Sequence, residues 1–224
     1  MIGKWLFQTA VWIVVFAVLL FVPAGTWHWP AAWVFLGFMI ASGLGFGGWL
    51  AKKSPELLAE RMRPPIQRDQ PAADKKIIWT FGFANLVWLV LMGLDERFHL
   101  SDMPFALQVL GLALLIASSF FIAWVFRENA FAAAVVKVQS ERGHHVISSG
   151  PYAFVRHPMY SGAVLFLIGI ALLLGSWWGL AMTPIFAVIF AIRTRIEEST
   201  LMTGLPGYAD YAARVRYRLL PGVW

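Results

Sequence analysis

Six nearly unbroken apolar stretches divide this chain, roughly 5–22, 31–50, 77–94, 104–126, 159–174 and 177–192. A helix rises about 1.5 Å per residue, so about 20 apolar residues cross a ~30 Å hydrocarbon core. The first four stretches meet that length. The last two are shorter, and only Gly175-Ser176 separates them. They predict a tight helical hairpin whose arms need not span fully. The composition agrees: 59% of residues are hydrophobic and 13% charged, whereas a soluble domain is about a quarter charged. The expected fold is all-α, a polytopic helical membrane protein of about six hydrophobic segments.

The charges between these stretches predict an orientation. With the N-terminus inside and six crossings, Lys4, the loop 51–76, the segment 127–157 and the tail together hold 17 basic residues on the inner side. The outer side holds only Arg97. Such a split is a strong positive-inside signal, and both termini are expected to be cytoplasmic. The net charge of +6 then reflects topology and anionic lipid headgroups rather than nucleic acid. Lys4 and 5–22 resemble the start of a signal peptide, but no small-x-small cleavage site follows, so they read as an uncleaved first helix. The loop 51–76 reads as a solvated connector with a short amphipathic helix near 55–62. The absence of Cys excludes disulfides, thiolate metal sites and a Cys nucleophile.

Gly43, Gly45 and Gly48 match a G-x-G-x-x-G, but they lie inside a membrane helix with no strand before them. Gly43 and Gly47 also form a G-x-x-x-G, which predicts close helix packing within one chain or between two. No metalloprotease, P-loop or nucleophile-elbow pattern occurs. His28 and His99 fall on the outer side as interfacial residues, and no metal site is expected.

Three polar clusters remain, all on the predicted inner side. Residues 139–160 read QSERGHHVISSGPYAFVRHPMY. Ser149-Gly150-Pro151 is a turn signal, and Pro158 suits the first position of a helix. A helix N-terminus there, strengthened by Arg156 and His157, would suit a carboxylate or other anion. A positive-inside loop with interfacial His and Tyr would look similar. The second cluster is Arg193-Thr194-Arg195-Ile196-Glu197-Glu198, whose spacings permit Arg193–Glu197 and Arg195–Glu198 pairs along a helix. Two adjacent acids at a membrane boundary point to function. In the third, Tyr208, Tyr211 and Val215 share one amphipathic face, which can lie on the membrane or cover the first cluster.

These clusters resemble the isoprenylcysteine carboxyl methyltransferases and their phospholipid methyltransferase relatives. The resemblance rests on E-R-G-H-x-V-x-S-x-G-P-Y-x-x-V-R-H-P-M-Y-x-G at 141–162, R-x-x-x-E-E-x-x-L at 193–201, G-Y-x-x-Y at 207–211 and R-L-L-P-G at 218–222. It covers about the C-terminal half. It implies S-adenosylmethionine as methyl donor and a lipophilic or lipidated acceptor. It implies that His144, Val146, Ile147, Gly150, Tyr152, Arg156, His157, Tyr160 and Glu197 line a donor pocket shaped by Pro151 and Pro158. Arg193 and Glu198 would then lie at or beside the reacting centre. It further implies one membrane methyltransferase domain, with helices in 1–126 and a cytoplasmic cofactor-binding and catalytic region in 127–224. Leu205-Pro206-Gly207 stands where many relatives have Phe-Gly and two further residues, which alters the local pocket.

An arginine such as Arg193 can hold a carboxylate acceptor, which needs no general base. An amine or thiol would need one, from Glu198 or a His. The acceptor is expected to enter sideways from the bilayer, between helices near 77–126 and the final hairpin. Two other classes stay open at this level: an NADPH-dependent sterol-type reductase and a small transporter. Few ionisable residues lie within the helices and no inverted repeat is visible, which weighs against transport.

Overall fold

The computed structural model describes residues 1–68 and 70–224, and its regular structure is helical. Among the described residues eight α-helices follow in order: α1 (Ile2–Ala24), α2 (Pro30–Lys53), α3 (Pro55–Arg61), α4 (Ala72–Phe98), α5 (Phe105–Glu128), α6 (Pro158–Leu173), α7 (Trp177–Gly204) and α8 (Tyr208–Arg214). Proline at the first helical turn opens α2, α3 and α6, where its missing N–H costs nothing. Ser176 caps α7 by accepting the Gly179 N–H at 2.8 Å.

Helices α1, α2, α4, α5 and α7 are each long and apolar enough to cross a membrane. Helix α6 has 16 residues, about 24 Å at the usual rise. The hairpin at Gly175-Ser176 is present, but its second arm is not short: α7 runs for 28 residues. Hydropathy marks only its apolar part, and the helix continues through the charged cluster to Gly204.

Glycines set the closest helix crossings. A Cβ on Gly111 of α5 would lie 2.3 Å from the Leu173 backbone nitrogen of α6, and one on Gly169 would lie 3.0 Å from the Gly111 carbonyl. Backbone cannot yield as a side chain can, so Gly111→Val should separate α5 from α6. We expect it to lower the midpoint of thermal unfolding in detergent by several degrees, whereas Gly3→Val, in open space, should leave it unchanged. The G-x-x-x-G pair packs within the chain: a Cβ on Gly47 would meet the Trp5 ring at 2.1 Å, and one on Gly43 the Thr9 methyl at 3.1 Å. Gly45 faces open space.

The loop 51–76 differs from a solvated connector. Leu57 and Leu58 of α3 are buried, in a cluster with Leu50, Phe126 and Ala132. This packing draws α3 under the end of α5 and carries Arg61 inward. Many large apolar side chains on the helix exteriors stay exposed, among them Trp12, Trp79, Phe83 and Phe120, as a lipid-facing surface requires.

Candidate functional site

The ends of α5, α6 and α7 meet the irregular segment 129–157 and the tail at one end of the bundle. Glu198 of α7 is the knot of this region and is 6% exposed. Its Oε1 accepts from Arg156 Nε at 2.6 Å and lies 3.3 Å from His157 Nε2. Its Oε2 accepts from Arg218 Nε at 2.8 Å. Arg156 also donates to the Ala212 and Val215 carbonyls at 3.0 and 3.1 Å. The backbone N–H groups of Arg156 and His157 donate to the Tyr217 and Arg218 carbonyls, both at 2.9 Å. The tail is thereby strapped over the start of α6.

These contacts replace two expected arrangements. Arg156 and His157 do not offer free charge to an anion at the α6 N-terminus, because Glu198 engages both. The pairs along α7 give way to tertiary ones: Glu198 takes Arg156 and Arg218, and Glu197 accepts the Tyr160 hydroxyl at 2.6 Å. Arg193 turns to α4, where its Nε meets Asp74 Oδ1 at 2.9 Å. Helical spacing permits a pair; a buried partner with better geometry takes it.

A cleft of about 710 Å³ opens beside this knot. His144, Val146, Ile147, Tyr152, Arg156, His157, Tyr160 and Glu197 line it. Gly150, Pro151 and Pro158 do not. Gly150 has φ +57°, and a Cβ there would meet the Glu128 side chain at 2.6 Å. It therefore shapes the turn that brings Tyr152 to the wall. Glu198 sits outside the lining, and so does Arg193.

Aromatic rings dominate one part of the cleft. The His144 imidazole stacks on Phe131 with centroids 4.6 Å apart. Its Nδ1 accepts the Gln139 N–H at 3.3 Å, which puts the ring proton on Nε2. Burial, with His145 nearby, pushes the His144 pKa down from 6.5. Tyr152 accepts from Asn129 at 2.8 Å through its hydroxyl, and its carbonyl accepts the Tyr211 hydroxyl at 2.8 Å. Burial pushes the Tyr152, Tyr208 and Tyr211 hydroxyls up, so all three stay protonated. The Tyr208 hydroxyl is buried without a hydrogen-bond partner. Helix α8 thus covers the cleft rather than lying apart on the membrane.

A second cavity, of about 720 Å³, lies between α4, α5, α6 and α7. Ile77, Phe81, Phe126 and Phe190 make its wall apolar, while Arg61 and Arg193 supply charge. Met159 and Tyr160 line both spaces. The Tyr160 ring stacks between His157 and Phe190, with centroids at 5.9 and 5.3 Å. Arg193 Nη2 donates to the Ala134 carbonyl at 2.5 Å. Arg61 donates to the Ala132 carbonyl at 3.0 Å and lies 4.5 Å over the Phe126 ring. Burial and the charge of Arg193 lower the Arg61 pKa to about 10, so it stays a cation at neutral pH.

Asp74 orients this arrangement. It is fully buried. Besides Arg193 it accepts from Val136 N at 3.0 Å and Gln70 Nε2 at 2.6 Å. One carboxylate therefore ties α4, the segment lining the cleft and α7 together. Sequence reasoning passed over Asp74, Arg61, Asn129 and Phe131. Asp74 and Arg61 both fall in the charge-rich stretch 51–76, where nothing in the sequence marks the two that turn inward.

Residues 106–205 match the family model described as phospholipid methyltransferase. The matched segment makes up a little under half of the chain. The chain is also similar to the cobalt-zinc-cadmium resistance protein CzcN of Cupriavidus metallidurans, 31% identical over 81 residues. Those residues make up 34% of this chain and 36% of that protein, so the chain matches little more than a third of its curated relative. The fold resembles the solved eukaryotic intramembrane Ras methyltransferase ICMT (isoprenylcysteine carboxyl methyltransferase), with a TM-score of 0.63 and 20% identity. That likeness covers 96% of this chain and 75% of the other.

Proposed function

We propose that this chain transfers a methyl group from S-adenosylmethionine to a lipophilic, membrane-embedded acceptor with an anionic headgroup, a carboxylate being the simplest case. One observation carries the reading. A polar aromatic cleft and an apolar cavity between helices share a wall at Met159 and Tyr160. The residues of the cleft fit the donor. Phe131, Tyr152 and Tyr208 offer flat faces to a purine, Glu197 offers negative charge to a sulfonium or ammonium, and the Tyr208 hydroxyl is a buried donor awaiting an acceptor. When bound, S-adenosylmethionine supplies a methyl carbon made electrophilic by its sulfonium.

The apolar cavity takes a hydrocarbon tail, and Arg193 and Arg61 take the headgroup. A carboxylate is already deprotonated, so these residues need only hold and aim it. An amine would meet two guanidinium groups instead. Burial of the shared wall excludes water from the reacting pair. Residues 1–126 supply most of the spanning helices together with Arg61 and Asp74, and 127–224 supply α6, α7 and most of the cleft. The basic residues support a cytoplasmic cleft and cytoplasmic termini, the side on which a soluble, polar donor is available.

Calorimetry with S-adenosylhomocysteine on the detergent-purified protein tests this reading. Binding is expected, with constant affinity above pH 6.5. Protonated Nδ1 would set an N–H against the Gln139 N–H, so the cleft favours neutral His144. Affinity should therefore hold until pH nears the lowered His144 pKa of the free protein and fall below it, by up to about tenfold per unit. His144→Gln should flatten that limb. Binding of NADPH without S-adenosylhomocysteine would instead establish a reductase.

A further inference from the structure

The end of the bundle opposite the cleft holds a buried carboxylate with no counter-charge. Asp95, in the last turn of α4, is 3% exposed. Its Oδ2 accepts from the hydroxyls of Ser101, at 2.7 Å, and Ser176. Ser101 Oγ already accepts the Trp177 N–H at 2.9 Å, and Ser176 Oγ the Gly179 N–H at 2.8 Å. Both hydroxyl hydrogens are therefore free to point at Oδ2, which acts as an acceptor. The other oxygen, Oδ1, is buried and has no hydrogen-bond partner.

Asp95, Glu96, His99, Ser101 and Ser176 line a small cavity of about 210 Å³ here. Among the described residues, no basic nitrogen lies within ion-pair distance of either acid. Arg97 points elsewhere, over the Phe98 ring and against Gly25. A buried carboxylate oxygen left with neither a hydrogen-bond donor nor a counter-charge is costly, and a bound cation would satisfy it. Among the described residues no group of three or more His, Asp or Glu side chains can hold a metal ion, so a chelated metal does not supply the charge.

We infer that this cavity binds a compact monovalent cation, of the alkali or primary-ammonium type, against Asp95 Oδ1. A free ion and the headgroup of an aminophospholipid share this chemistry. The bound cation would brace the α6–α7 hairpin, because Ser176 both touches Asp95 and caps α7.

Thermal unfolding of the full chain in nonionic detergent tests the site, with sodium, potassium or ethanolamine chloride against N-methylglucamine chloride at equal ionic strength. A parallel series uses nanodiscs containing either phosphatidylethanolamine or only phosphatidylglycerol. We expect the midpoint to rise saturably, by about 3 °C, with a compact cation or with the aminophospholipid, and the series that responds identifies the source. Asp95→Asn keeps an acceptor for both serines and should abolish the rise. If that variant does not fold, Glu96→Gln, outside the serine network, should weaken the response severalfold. Equal midpoints in all salts and lipids, or an undiminished rise in the variants, would overturn the proposal.

Discussion

Replacing Arg193 with alanine is expected to lower the proposed methyl transfer on the order of a hundredfold or more, while S-adenosylhomocysteine affinity stays within about threefold. Arg193 lines the apolar cavity and not the aromatic cleft, so the two readouts should separate. The measurement is single-turnover transfer of a labelled methyl group to a membrane lipid extract, beside calorimetry on the same preparation. Arg193→Lys keeps the charge but loses the planar fork that reaches Asp74 and Ala134, and should recover only part of the rate. Asp74→Asn should behave like a milder Arg193→Ala, since it leaves the guanidinium present but loosely aimed. Equal loss of transfer and of S-adenosylhomocysteine binding in Arg193→Ala would assign the arginine to the fold instead.

The second large effect belongs to Glu198. Substitution by glutamine leaves Arg156 and Arg218 without their shared carboxylate. Breaking a buried ion cluster on one side costs about 3–5 kcal/mol, which for a chain of this size lowers the unfolding midpoint by about 10 °C. Donor binding should weaken in parallel, because the strap formed by Tyr217 and Arg218 would loosen its hold on the Arg156-His157 backbone. A Glu198 acting at the reacting centre would give the reverse pattern: lost turnover at an unchanged midpoint. Thermal unfolding and a rate measurement on Glu198→Gln therefore separate a positioning role from a catalytic one.

Much of this architecture was legible before any coordinates. Apolar length marked six helices, because a span must be long enough for the bilayer whatever its partners. Pro158 marked the start of α6, and the aromatic spacing of 208–215 marked the face that packs on Tyr152. Partner choice was not legible. Arg193 and Glu197 have the spacing of a helical pair, yet each is claimed by a residue far away in sequence, Asp74 and Tyr160. Loop composition was equally mute about Arg61, whose route inward depends on Leu57 and Leu58 finding Phe126. Local periodicity reports which face is buried; it does not report which buried charge faces which.

The two guanidinium groups at the head of the apolar cavity also bear on how a turnover would end. Methylation of a carboxylate yields a neutral ester, so the attraction that seats the acceptor disappears with the reaction itself. The ester keeps its affinity for hydrocarbon, and the cavity lies between membrane helices. Escape then becomes partition into the surrounding lipid, with no gate to open and little tendency for the spent acceptor to compete with a fresh one.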